Sequence, residues 1–128
     1  MTFTARLAAF LPFVFAWECE FGAKGEVIAE NVDGDRGGVT KYGIDQRSHP
    51  DVDIRSLTAE QARTIYSQEF IRARLHLLPA PFGELCFDIQ INGGAGVSWL
   101  QDALGVASDS YIGPVTIAAA NRAAKGRE

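Results

Sequence analysis

Hydrophobic residues near the start of the chain recur at helical spacing: Phe3, Leu7, Phe10, Leu11, Val14 and Phe15 share one face. The pattern predicts a first helix over about residues 3–19. Pro12 is a kink or break within it, since a mid-helix proline loses a backbone hydrogen bond and clashes with the preceding turn. The pattern then changes. Residues 22–44 are rich in Gly and Asp, and Val27-Ile28 and Val39 to Ile44 read as short strands around the turn Asp33-Gly34-Asp35-Arg36-Gly37-Gly38. One hairpin is therefore expected directly after the first helix. Helical spacing returns at Ala62, Ile65, Tyr66, Phe70 and Ala73, in a helix opening at Thr58, whose distance from Gln61 is that of a capping box. Leu77-Leu78-Pro79 closes that region. Pro81 opens a third helix with Phe82, Leu85, Cys86 and Ile89 inward, stopped by Asn92-Gly93-Gly94. Two further helices are predicted, about Val97 to Leu104 and from just after Asp109-Ser110, the latter with Pro114 near its start. Helices with one short hairpin make the expected class α+β, mainly α, in a single domain over residues 1–128.

Composition narrows the function classes. With 128 residues, 47% of them hydrophobic, the chain closes one modest core. Its net charge of -4 leaves no basic face, which excludes the usual nucleic-acid binder. The apolar stretch Leu7 to Ala16 is too short to span a membrane as a helix. Together with Arg6 and Val14-Phe15-Ala16 it imitates a signal peptide. Cleavage after Ala16 would remove the helix that presents Glu18, so the stretch reads as structure in a monomer made in the cytoplasm. Cys19 and Cys86 permit at most one disulfide and match no zinc or redox spacing. Two free thiols are expected, with a bridge formed after release from the cell as the alternative. No ligand cluster or phosphate loop is present, so neither metal nor nucleotide cofactor is expected. His49 and His76 are assigned to surface loops, and Trp17 and Trp99 to the core.

Two segments carry candidate chemistry: Trp17-Glu18-Cys19-Glu20-Phe21, and Asp35-Arg36-Gly37-Gly38-Val39-Thr40-Lys41-Tyr42-Gly43-Ile44. A glutamate at a helix end against aromatic residues has its carboxyl desolvated, which raises the pKa as a general acid near neutrality requires. The hairpin returns carboxylate and hydroxyl groups towards it. Glutamate facing Asp and Thr suits the splitting of a glycosidic bond with an activated water. For Asp35 the alternative is a plain turn residue, and for Thr40 a good strand residue.

These segments resemble glycoside hydrolase family 108, the lysozyme-like muramidases of bacteria and phages. The family's motifs are Glu-Gly-Gly-Tyr and, later, Asp-Pro-Gly-Gly-x-Thr-x-Tyr-Gly-Ile. Further matches follow in order: Leu57-Thr58-Ala59-Glu60-Gln61-Ala62, Ile65-Tyr66, Leu78-Pro79-Ala80-Pro81, Phe87-Asp88 and Asn92-Gly93. Leu100-Gln101-Asp102-Ala103-Leu104-Gly105-Val106 and Ile112-Gly113-Pro114-Val115-Thr116 are similar to its peptidoglycan-binding-like part. The resemblance implies a lysozyme-like helical domain, catalytic over about residues 1–92 and peptidoglycan-binding-like over about 93–128, ending earlier than family members usually do. It implies cleavage of the β-1,4 bond between N-acetylmuramic acid and N-acetylglucosamine in the cell wall. By position, Glu18 is the catalytic acid, Asp35 and Thr40 hold the water, and Tyr42, Asp88 and Asn92 bind substrate. Asn92 has a second reading as a helix cap. Cys19-Glu20-Phe21 stands where the family has Gly-Gly-Tyr, which places Glu20 on a glycine position as a competing acid. The spacer before Asp33 is longer than usual, so Asp33 and Asp35 both remain candidates for the second carboxylate. Two alternatives stay open: a lytic transglycosylase using Glu18 alone, and a non-catalytic wall-binding descendant.

Overall fold

The structure, a computed structural model, describes Arg6 and residues 9–12, 20–21, 27–29 and 38–126. Its contacts divide the chain into two compact units, Leu7–Tyr66 and Met1–Arg6 with Ser67–Glu128. No helix among the described residues is long and apolar enough to cross a membrane.

In the unit Leu7–Tyr66, residues 9–12 are helical with Leu11 buried, as the apolar spacing predicts. Two small antiparallel sheets follow. Strand β1 (Glu20–Phe21) pairs with β2 (Val27–Ile28), and β3 (Thr40–Lys41) pairs with β4 (Ile44–Asp45). The expected single hairpin is thus corrected to two antiparallel pairs among the described residues. Val27-Ile28 pairs back with Glu20-Phe21, and the Val39 to Ile44 run folds on itself. Each strand closes on a partner nearer in sequence, which costs less chain entropy than a wide turn over residues 33–38. A 3-10 turn, Ile54–Ser56, packs against β3. Helix α1 (Ala59–Arg72) then begins at the predicted capping box. The Thr58 backbone N–H donates to Gln61 Oε1 at 2.9 Å, and the Gln61 N–H donates to Thr58 Oγ1 at 3.1 Å. Ala62, Tyr66 and Phe70 form its buried stripe. The division between units falls within α1, after Tyr66.

In the second unit, a 3-10 turn (Leu75–Leu77) leads to α2 (Phe82–Ile91), α3 (Gly96–Leu104) and α4 (Pro114–Lys125). Helix α2 packs on the 3-10 turn and on α3, and α3 packs on α4. The inward face of α2 is Gly83, Cys86 and Phe87. Leu85, predicted inward, is 53% exposed, because the helix turns its glycine face to the backbone of the 3-10 turn. Helix α3 approaches α2 closely at Gly96, where any side chain would collide with the Cys86 carbonyl. Phe70 and Phe87 meet edge to face at 5.4 Å. Arg6 forms an ion pair with Glu84 and lies over the Phe70 ring.

Gln101 is fully buried and ties α3 to α4 and to the loop between them. Its amide nitrogen lies 2.9 Å from Asp109 Oδ1, 3.0 Å from the Tyr111 carbonyl and 3.0 Å from Thr116 Oγ1. Two hydrogens are shared among those three acceptors. Its carbonyl oxygen accepts from the Ser110 N–H at 2.9 Å. Replacing Gln101 by Leu leaves these partners unsatisfied and is expected to cost about 3 kcal/mol in urea unfolding. Asp109 accepts from Gln101 and the Tyr111 N–H, and the latter is the main cause of its carboxyl pKa lying below the ordinary 3.8. A lowered pKa stabilises the fold above the unfolded value, and that gain disappears as pH falls through the folded one. Acid titration of stability is therefore expected to be shallower below about pH 4 in Asp109→Asn than in the unaltered protein.

Candidate functional site

Among the predicted site residues, Thr40 and Tyr42 lie together on the β3–β4 hairpin. Thr40 is opposite Asp45, and Lys41 is opposite Ile44. The reversal takes only Tyr42 and Gly43, both with positive φ (56° and 79°), as a two-residue I′-type turn requires. Gly43 adopts this freely, whereas Tyr42 carries a cost of roughly 1–2 kcal/mol for its β-carbon. The hairpin is held from several sides. Ile44 is buried, the Tyr66 hydroxyl donates to the Tyr42 carbonyl at 2.6 Å, and Lys41 Nζ donates to the Arg55 carbonyl at 3.2 Å. Lys41 also lies 5.9 Å from the Tyr42 ring centre.

Beyond β4 the polar loop is ordered by its own side chains. Asp45 Oδ2 accepts from the backbone and hydroxyl of Ser48, each at 3.1 Å. The Gln46 amide donates to the carbonyls of Val52 (2.8 Å) and His49 (3.0 Å). His49, half-buried in this loop, has Nδ1 3.1 Å from the Asp45 carbonyl. In the same unit an open cavity of about 410 Å³ is lined by Asp51, Asp53, Ser56, Gln61 and Thr64, over an apolar floor that includes Leu57 and Ile65. The sequence marked Gln61 as a capping partner and Leu57 and Ile65 within motif matches, but pointed to none of the lining as part of a cavity.

Asp88 and Asn92 lie together on the second unit. Asn92 ends α2, and its side-chain amide donates to the Asp88 carbonyl at 2.8 Å, which is the geometry of the cap reading. Trp99, expected in the core, is 54% exposed. The inward positions of α3 are Gly96, Val97 and Gln101, and position 99 falls on the opposite side of that helix. Its indole packs by Gly94 and Ile89 at the edge of a recess of about 180 Å³. Glu18 and Asp35, with Trp17, Cys19 and Asp33, lie outside the described residues, and Glu20 is described by its backbone only, as part of β1.

A mainly helical α+β fold with small antiparallel sheets is that of a lysozyme-like glycoside hydrolase, and the comparisons agree. SagA of Brucella abortus has a similar structure, with a TM-score of 0.70 and 26% identity over 93% of this chain and 70% of that one. No curated protein matches the sequence. Residues 12–94 match the glycosyl hydrolase 108 family, and the chain belongs to it. It is a peptidoglycan hydrolase in the broad sense.

Cys86 is a free, buried thiol whose Sγ donates to the Gly96 carbonyl at 3.5 Å. Burial pushes its pKa up to about 11, which keeps it protonated and unreactive near neutral pH. In a Cys19→Ser variant, a thiol reagent at pH 7.5 is expected to modify Cys86 only after denaturant is added. Rapid labelling of the native protein would show that the α2–α3 contact opens.

Proposed function

We propose that the chain is a muramidase that hydrolyses the β-1,4 bond between N-acetylmuramic acid and N-acetylglucosamine. Glu18 protonates the glycosidic oxygen, while a water held by Thr40 and the Asp35 carboxylate attacks the sugar. Tyr42, Asp88 and Asn92 are each assigned to substrate binding by their positions in the family motifs. The observation that carries this reading is the β3–β4 hairpin. It presents a half-buried threonine one residue before a tight turn with positive φ at both positions, inside the segment that matches the family. A water held by a hydroxyl on a rigid hairpin needs no reorganisation at the moment of attack. The protein acts on the wall as a monomer after release from the cytoplasm.

Glu18→Gln, compared with the unaltered protein on purified peptidoglycan, is expected to lose about 10³-fold in rate at unchanged thermal stability. Thr40→Val is expected to lose at least about tenfold. Mass spectrometry of the digest is expected to show reducing-end muramic acid. An anhydro-muramic product would replace hydrolysis by transglycosylation, and equal rates for Glu18→Gln and the unaltered protein would remove Glu18 from its role. Binding without turnover by the unaltered protein would point to a wall-binding module.

A further inference from the structure

We propose that Tyr66 is a positioning residue for catalysis, a proposal that rests on the reading of the β3–β4 hairpin as part of the site. Gly43, at φ 79°, takes either sign of φ at little cost, so Tyr42-Gly43 fits two mirror-image turns: type I, with negative φ at both residues, and I′, with positive φ at both. Tyr42 is thus the residue that selects between them, and its β-carbon favours the type I choice. The observed φ of 56° goes the other way.

What opposes that preference is visible. The two turns aim the carbonyl of residue 42 in different directions, and the Tyr66 hydroxyl holds this carbonyl at 2.6 Å. Tyr66 is 2% exposed and sits on α1, whose start is pinned by the Thr58–Gln61 capping box. The donor is therefore a fixed point and not a mobile surface group. The I′ turn matches the twist of its strands, whereas a type I turn splays them, which would move Thr40 relative to Asp45. A turn required only for reversal is best served by Asn or Gly at position 42. A tyrosine held there against its preference is the kind of over-determined outlier that collects at functional sites.

The test is a set of kinetic cycles on soluble glycan fragments, with thermal unfolding measured in parallel. Tyr66→Phe keeps the buried ring and removes the donor. It is expected to lower kcat about tenfold while KM stays within about twofold. In a Thr40→Val background the same change is expected to cost less than about twofold, because the residue being positioned is gone. In a Tyr42→Asn background, where the turn supports itself, the cost is likewise expected to fall below about twofold. Should Tyr66→Phe fail to fold alone, the Tyr42→Asn/Tyr66→Phe pair carries the measurement, and failure of that pair to fold would assign the hydroxyl to stability and overturn the proposal. Losses that simply add across either cycle would also overturn it. So would a Tyr66→Phe enzyme within about twofold of the unaltered kcat while Thr40→Val is impaired, which leaves the reading of the hairpin intact. A fully active Thr40→Val enzyme would instead sink that reading, and the route through Tyr66 with it.

Discussion

The chain reverses direction in two residues at Tyr42–Gly43, and the described candidate site residues of the unit Leu7–Tyr66 are arranged around that reversal. A turn this tight with positive φ at both positions brings Thr40 level with Asp45 and sets the start of the loop that Gln46 then ties down. The magnitudes say what sustains it. Placing tyrosine in the left-handed region costs roughly 1–2 kcal/mol. Burying Ile44 contributes about 2 kcal/mol, and the hydrogen bond from Tyr66 about 1 kcal/mol net. Burial holds the hairpin against the fold, while the directional bond decides its shape.

The second unit is organised differently, by a polar group in an apolar setting. Gln101 and Thr116 belong to the two sequence segments that resemble a peptidoglycan-binding part, yet both side chains are buried and bonded to each other. Their pairing fixes where α4 begins relative to α3. Arg74 adds a tie from outside α3 and α4, with Nε donating to the Ile112 carbonyl at 2.8 Å and the guanidinium over the Tyr111 ring. A motif match in this region therefore reports the needs of the fold. Gln101 and Thr116 have no surface left with which to touch a polymer.

Much of this architecture was legible in the sequence. The capping box at Thr58, the proline at the start of α4 and the apolar stripe of α1 are local rules, and each acts within a few residues. The strand pairing was not legible. Val-Thr-Lys-Tyr-Gly-Ile has the composition of one strand, and nothing local announces that a tyrosine will accept positive φ; the bond that permits it comes from 24 residues away. Leu85 and Trp99 were misplaced for a related reason. Periodicity states which residues share a face, but not which face meets the neighbour, and here glycines at 83 and 96 made that choice. Thr40 and Tyr42 became candidates through the motif, while Tyr66 was visible in the sequence only as a core residue. The cavity beside Asp51 and Asp53 left no sequence signal.

The capping box has a consequence for how this chain tolerates change. Because it fixes the first turn of α1 from within, the helix is a ruler with its zero at Thr58. Tyr66 stands eight residues along it, about 12 Å of rise and a little over two turns. Substitutions at outward positions between those two marks leave the ruler intact. A single inserted or deleted residue would swing the phenol by about 100° around the axis and carry its oxygen away from the hairpin. In this stretch it is length, more than identity, that the fold conserves.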